Sequence, residues 1–214
     1  MRRLIHVMLS PSCRLARLMV GEKRVTCDPA QSDDPQQTMP VFIEQDGTRV
    51  EGVWAILDHL EHHYPDRPLA PQDDGERRLC LRWVDWAMGP FHEQVTQRIV
   101  YEKAAPKYTG AGFSRGLDMN VIRAGRASLK EALGKIGKAA ETNGNLACRD
   151  TTLGDLAMAA HLSVLDYFGE VPWSDFPAAA EWYVRMKSRP AFRSILNDRV
   201  PGQPPIAHYA ELDF

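Results

Sequence analysis

The sequence predicts an α+β protein, in which a small βαβ-ββα domain is followed by an all-helical domain. Three observations lead to this fold class. Short runs rich in strand-forming residues are confined to residues 3–50. Asp46-Gly47 lies between two such runs, which is typical of a β-hairpin. Beyond a proline-rich stretch at 65–71, apolar residues recur every three to four positions, which is the period of an amphipathic helix.

The first domain, residues 1–65, begins with an apolar strand over residues 3–9. Ser10-Pro11 ends this strand and starts a helix, because serine is a good N-cap and proline suits the first helical position. We expect Arg24 to Cys27 to form a second strand, parallel to the first, and residues 28–38 to form a polar loop.

The second half of this domain contains the hairpin and another helix. Val41 to Glu44 and Arg49-Val50 are the hairpin strands, and the helix runs from Gly52 to His62. This order of strands and helices is that of a thioredoxin fold.

Residues 66–75 form a linker, because prolines and aspartates make this stretch stiff and solvated. The all-helical domain covers 76–198. Its first helix is predicted from Glu76 to Lys103 and its second from Leu117 to Ala140. Residues 199–214 form an extended tail.

A third long helix of this domain starts at Thr152. The Thr152 hydroxyl precedes the Asp155 carboxylate by three residues, as in an N-terminal capping box with Asp in place of Glu. The following residues are small and apolar on most sides, so we place this helix at the centre of the helical domain and give Asp155 a structural role.

Composition excludes several classes of function. The formal net charge is −2 and 25% of residues are charged, so no nucleic-acid partner is indicated. The N-terminus is too short and strand-like for a signal peptide, and there is no run of about 18 apolar residues. We therefore expect a cytoplasmic protein without membrane insertion.

Neither the cysteines nor the histidines predict a metal site. The four cysteines lack metal-ligand spacing and the density of a disulfide scaffold, so we expect reduced thiols. We expect Cys13 to be a small core residue rather than a reactive thiol. His59, His62 and His63 lie near the exposed end of a helix, and we expect no carboxylate to fix them as metal ligands.

Several motifs, in this order along the chain, resemble those of the glutathione transferase superfamily over essentially its full length. They are Ser10-Pro11-Ser12-Cys13-Arg14, Met39-Pro40-Val41, Ala55-Ile56-Leu57-Asp58-His59-Leu60 and the Thr152 to Asp155 box. The resemblance implies a thioredoxin-like domain, a homodimer, a cis-proline at Pro40 and a ligand groove. The groove candidates are Ser10, Arg14, Met39, Pro40, Gly52 and Val53.

The C-terminal half resembles one subfamily, the FtsZ-localized, GST-like division proteins of alphaproteobacteria. The residues that carry this resemblance are Phe91 to Thr96, Ala159 to Trp173, Lys187-Ser188-Arg189-Pro190, Asp198 to Gly202 and His208 to Phe214. The resemblance implies a dimer that binds the polymer FtsZ at midcell, curves or bundles its filaments and promotes constriction, without transferase activity.

The groove departs from that of an active transferase. In the superfamily, an acidic residue followed by a serine anchors the γ-glutamyl group, whereas this chain has Gly52-Val53. Losing two or three hydrogen bonds to charged groups, each worth about 1.5–3 kcal/mol, weakens binding by orders of magnitude. Glu51 stands one position too early to replace the acid.

Two of the groove candidates each allow two interpretations. Ser10 either donates a hydrogen bond to a glutathione thiolate or only caps its helix. The backbone of Met39, held before a cis-proline, either pairs with a bound peptide or serves only the fold.

The tail carries four apolar residues that a disordered segment has no reason to keep: Ile206, Tyr209, Leu212 and Phe214. They either pack back across the helical domain or bind a partner. The leading hypothesis is therefore a non-catalytic FtsZ-binding protein that needs no cofactor. The alternative is a glutathione transferase that uses Ser10 and glutathione.

Overall fold

The computed structural model describes residues 1–32, 39–110 and 117–212. Its N-terminal part is a mixed four-stranded sheet with two helices. The strands are β1 (Arg3–His6), β2 (Asp28–Gln31), β3 (Val41–Ile43) and β4 (Arg49–Glu51), and the helices are α1 (Pro11–Glu22) and α2 (Val53–His63). The strand order is β2-β1-β3-β4, with β2 parallel to β1 and the other pairs antiparallel. The predicted βαβ-ββα order is confirmed.

The predicted position of the second strand is wrong. We expected Arg24 to Cys27, but β2 is Asp28–Gln31, in the segment predicted as a loop. The chain is still turning out of α1 at Arg24, whose φ is 55° and whose N–H donates to the Gly21 carbonyl. A strand containing Pro29 is tolerated because β2 is an edge strand and does not need every N–H. The remainder of the predicted loop, residues 33–38, lies outside the described residues.

The C-terminal part is helical. Its helices are α3 (Asp74–Trp86), α4 (Gln97–Lys103), α5 (Pro106–Thr109), α6 (Met119–Asn143), α7 (Leu153–Tyr167), α8 (Pro177–Lys187) and α9 (Arg193–Leu196). A π-helical segment, Ala87–Thr96, joins α3 to α4 and contains Pro90. The stretch predicted as one helix over 76–103 is continuously helical, but its middle is a π-helix. Pro90 lies in that middle part and has no N–H to donate.

The core is built around α7, whose fifteen residues are all buried. This confirms the prediction that the small, apolar helix lies at the centre. One side of α7 contacts α1, so the sheet domain packs directly on the central helix. The linker contributes as well: Leu69 is buried, and its carbonyl accepts a hydrogen bond of 2.7 Å from the Leu153 N–H at the start of α7.

Within the described ranges, no helix has the length and apolar character needed to cross a membrane.

Candidate functional site

The candidate groove begins at the N-terminus of α1. Ser10 has extended backbone angles and is half-buried, and its Oγ accepts from the Cys13 N–H at 3.5 Å. This is a long hydrogen bond. The serine is therefore the N-cap that the sequence predicted, and its hydroxyl is held only loosely by that role.

Met39-Pro40 is a cis peptide, as the sequence predicted. The Pro40 carbonyl accepts from the Gly52 N–H at 2.8 Å, which places the start of α2 beside the proline. In the part of the chain that the structure describes, neither the N–H nor the C=O of Met39 has a hydrogen-bond partner. Among the described residues, both backbone groups of Met39 are therefore available for the pairing that an extended peptide requires.

Gly52 and Val53 form the entry to α2. Gly52 has φ 88° and ψ 149°, a conformation that is essentially restricted to glycine. It is the N-cap of α2, and no side chain among the described residues caps this helix. Val53 is buried against the core, so position 53 adds apolar contact where the superfamily has a hydroxyl.

Glu51 does not compensate for the missing acid. Its Oε1 lies 2.6 Å from Arg49 Nε on the same strand, β4, where both side chains are exposed. The first-turn N–H groups of α2 remain the polar groups available at this end of the groove, because helix N-termini leave such donors unpaired.

Arg14 does not belong to the groove, and that prediction is wrong. Its side chain is fully buried beneath α1. NH1 donates to Ser163 Oγ at 2.9 Å and to Tyr209 Oη at 3.0 Å, and Nε donates to the Met8 carbonyl at 2.8 Å. Since Arg14, the fourth residue of α1, lies on the face that packs on α7, its guanidinium points into the protein rather than toward a ligand.

Arg14 is part of a larger buried cluster that the sequence analysis missed. The Asp198 carboxylate accepts from Arg14 NH2 at 3.2 Å and from Arg17 NH1 at 2.8 and 2.9 Å. Next to this cluster, burial and Arg17 lower the pKa of His6 to about 4. No local signal could reveal the cluster, because Asp198 lies more than 180 positions from Arg14 and Arg17 in the chain.

Cys13 has the structural role that the sequence predicted. It is fully buried and its Sγ accepts from the Val7 N–H at 3.3 Å. Burial raises the pKa of the thiol, which suppresses the thiolate that a reactive cysteine needs.

The capping box at the start of α7 is confirmed. The Thr152 N–H and hydroxyl donate to Asp155 Oδ2 at 2.9 and 2.8 Å. The other oxygen, Oδ1, accepts from the Leu146 N–H and from Trp182 Nε1, both at 3.0 Å. Burial raises the pKa of Asp155, and these donors oppose that shift. The carboxylate is fully used inside the protein, which fits the structural role that we expected.

The tail packs back on the protein in part. Tyr209 is buried and its hydroxyl lies in the Arg14 cluster, so its assignment as a partner-binding residue is wrong. Burial raises the pKa of Tyr209 to about 12. Ile206 is half-buried, and its N–H donates to the Tyr167 carbonyl at 3.1 Å. Leu212 is 43% exposed, and Phe214 lies outside the described residues.

A second polar cluster lies in the sheet domain. Glu44 Oε2 accepts from Arg2 Nε at 2.8 Å, while Oε1 accepts from the Tyr64 hydroxyl and lies 3.1 Å from His59 Nε2. The expectation that no carboxylate fixes these histidines is therefore wrong for His59. Burial raises the pKa of Glu44, but the hydrogen bonds from Tyr64 and His59 outweigh it and bring the value to about 2. Among the described residues, no group of three or more His, Cys, Asp or Glu side chains could hold a metal.

Comparison with known proteins gives a consistent result. No protein-family model matches the chain. It is 39% identical to FtsZ-localized protein A of Caulobacter vibrioides, with 100% of this chain and 98% of the relative covered.

Two solved structures cover the whole chain. A glutathione S-transferase from Rhodospirillum rubrum has a TM-score of 0.92 at 36% identity, covering 100% of both chains. FzlA from C. crescentus has a TM-score of 0.90 at 39% identity, covering 100% of this chain and 99% of the other. The chain belongs to the family of FtsZ-localized protein A, on the fold of the glutathione transferases.

Proposed function

We propose that this protein associates with FtsZ at the division site and promotes cell division without catalysing glutathione transfer. The observation that carries the proposal is the similarity to FtsZ-localized protein A, which spans the whole chain at 39% identity. Similarity over both the sheet and the helical part supports a common role for the complete fold, rather than a shared scaffold alone.

The groove supports the non-catalytic part of the proposal. Position 52 has a conformation that only glycine adopts readily, and position 53 is an apolar core contact. Neither residue offers a side-chain partner to the charged γ-glutamyl group. With that anchor absent, we propose that the protein requires no glutathione cofactor.

We further propose that the protein is a homodimer. Trp54 at the start of α2 and Leu81 on α3 are 48% and 45% exposed. Large exposed apolar side chains favour burial against another protein surface. Light scattering after size exclusion tests this: we expect a mass near 48 kDa, twice the 24.1 kDa of the chain. Trp54→Arg should lower that mass, whereas Lys107→Glu on α5, as a surface control, should not.

Co-sedimentation with purified FtsZ tests the main proposal. We expect the protein to pellet with FtsZ assembled in GTP and to stay in the supernatant with FtsZ in GDP. Electron microscopy of the same samples reports whether filaments are curved or bundled. A correctly folded protein that remains soluble with assembled FtsZ at micromolar concentrations of both contradicts the proposal.

A glutathione transferase is the second candidate, because specific features favour it. Ser10 lies at the N-terminus of α1. Within the described residues, the Met39 backbone has no hydrogen-bond partner and the first turn of α2 has no side-chain cap. Isothermal titration with glutathione separates the two functions. Binding at micromolar to low-millimolar affinity, with conjugating activity that Ser10→Ala removes, establishes the enzyme; the absence of heat supports the FtsZ-binding protein.

A further inference from the structure

We propose that the outer face of α8 is a docking surface for a segment of a partner protein that combines acidic residues with an apolar side chain. Two adjoining cavities, of about 560 and 470 Å³, lie there and share Arg185. None of the residues that line them comes from the groove. The surface is separate from the site discussed above, and its occupant need not be FtsZ.

The smaller cavity is basic. Arg149, Arg185 and Arg189 line it, and they come from the loop before α7, from α8 and from the turn after α8. Asp150 is the acidic residue in the same lining. Arg189 is paired with Glu22, so Arg149 and Arg185 against Asp150 leave a small local positive charge on a protein whose formal net charge is −2. Such a reversal of sign favours an acidic ligand.

The three arginines differ in how far they are already engaged. Arg189 is held by Glu22 through two bonds of 2.7 Å. Arg185 NH2 donates to the Gly144 carbonyl at 2.6 Å, which leaves its other N–H groups available. Arg149 is exposed, and its guanidinium has no hydrogen-bond or salt-bridge partner in the described part of the chain. Arg149 and Arg185 are therefore the groups that can bind incoming carboxylates.

The loop that carries Arg149 is held in place by its own hydrogen bonds. Asn145 Nδ2 donates to the Arg149 carbonyl at 2.7 Å, and the Asn145 N–H donates to the Cys148 carbonyl at 3.1 Å. The Leu146 N–H is fixed by the buried Asp155 carboxylate. The cost of ordering this loop on binding is therefore small, which favours a binding surface.

The larger cavity supplies the apolar half. Its apolar lining residues are Trp173, Pro177, Ala180 and Val184, and its polar ones are Ser174, Glu181 and Arg185. Along α8, positions 177, 180 and 184 follow helical spacing and form one stripe. A peptide side chain such as leucine fits this stripe while neighbouring carboxylates reach Arg185 and Arg149.

A free phosphate is the less favoured ligand. It would use only the basic cavity and would leave the adjoining apolar stripe uncovered. A segment with both kinds of residue covers both cavities at once.

Fluorescence anisotropy with a labelled peptide, Gly-Asp-Glu-Leu-Asp-Glu-Leu-Gly, tests the surface directly. We expect saturable binding to the full-length protein that weakens as salt is added. Arg149→Glu should lower the affinity at least about tenfold, since it removes a charge-assisted contact and adds repulsion. Arg123→Glu, an exposed arginine on α6, is the matched control and should bind as the wild type does. A peptide with both leucines replaced by serine should bind more weakly.

NMR titration of the labelled protein locates the site. Peptide-induced shifts at Arg149, Val184 and Arg185 support the proposal. The proposal is overturned by any of three results: no binding up to millimolar peptide, equal losses in Arg149→Glu and Arg123→Glu, or the same shifts with inorganic phosphate and no effect of the leucines. Loss of FtsZ co-sedimentation is a separate measurement, so each proposal can fail while the other stands.

Discussion

Asp198→Asn is the substitution that tests most sharply how the two halves of the protein are held together. The carboxylate is buried and compensates two buried guanidinium groups from α1, at 3.2 Å from Arg14 and 2.8 Å from Arg17. Removing one partner of a buried ion pair leaves uncompensated charge and costs about 3–5 kcal/mol. Since typical domains have only about 5–15 kcal/mol of stability, the variant should be much closer to unfolding.

Urea unfolding followed by circular dichroism measures this change. Asp175→Asn is the matched control, because Asp175 forms an exposed pair with Lys130 at 3.5 Å. Exposed pairs are worth about 0–1 kcal/mol, so the control should unfold close to the wild type. If Asp198→Asn and Asp175→Asn lose similar stability, both below about 1 kcal/mol, the buried cluster does not hold α1 on the helical domain and this account is refuted.

Three further substitutions test other parts of the structure. Tyr209→Ala should cost about 3–5 kcal/mol of stability in urea unfolding, because a buried aromatic ring and its hydrogen bond from Arg14 are lost. His208→Ala, a substitution at an exposed neighbour, should cost little. Equal effects of the two substitutions would mean that the tail is not packed on the protein. The pKa of His6 is about 4 in the folded state and 6.5 in the unfolded state, so the unfolded state binds more protons between pH 4 and pH 6.5. Stability is therefore complete above pH 6.5 and falls by up to about 3 kcal/mol toward pH 4, and His6→Phe should flatten this dependence in unfolding curves measured at several pH values. Asp155→Ala should lower the free energy of unfolding by at least about 2 kcal/mol, since it leaves the Leu146 N–H and the Trp182 indole unpaired. A much smaller loss in the same urea unfolding measurement would show that the capping box is dispensable.

The elements predicted correctly are those with signals close together in the sequence. Ser10-Pro11 marks the start of α1, Asp46-Gly47 marks the hairpin, and Thr152 with Asp155 marks the start of α7. In each case, the side chains that define the element bond within a few residues of themselves. Their geometry therefore depends little on the rest of the fold.

The second strand could not be placed in the same way. Local propensity favoured Val25 and Cys27 over a segment with Pro29. Pairing with β1 decides the position, because Arg3 lies opposite Asp28 and Leu4 opposite Pro29. The register depends on how far the chain travels after α1, which no short motif encodes.

The partners of Arg14 could not be predicted from the sequence either. Its place in the Ser-Pro-x-Cys-Arg motif suggested a ligand role, yet its guanidinium meets Ser163, Tyr209 and Asp198. These contacts form only when α1 lies on α7 and the tail crosses behind both. For the tail, the sequence allows two interpretations, and the same contacts show that Tyr209 packs inside the protein.

The groove candidates lie on elements of this protein that contacts in its interior hold in place. α1 is fixed from behind by Arg14 and Arg17, whose partners lie in the helical domain and the tail. At the groove itself, Gly52 suits a φ of 88° and Val53 adds apolar burial, so both residues favour the fold while offering no ligand contact. Contacts within the protein itself therefore hold both α1 and the entry to α2 in place.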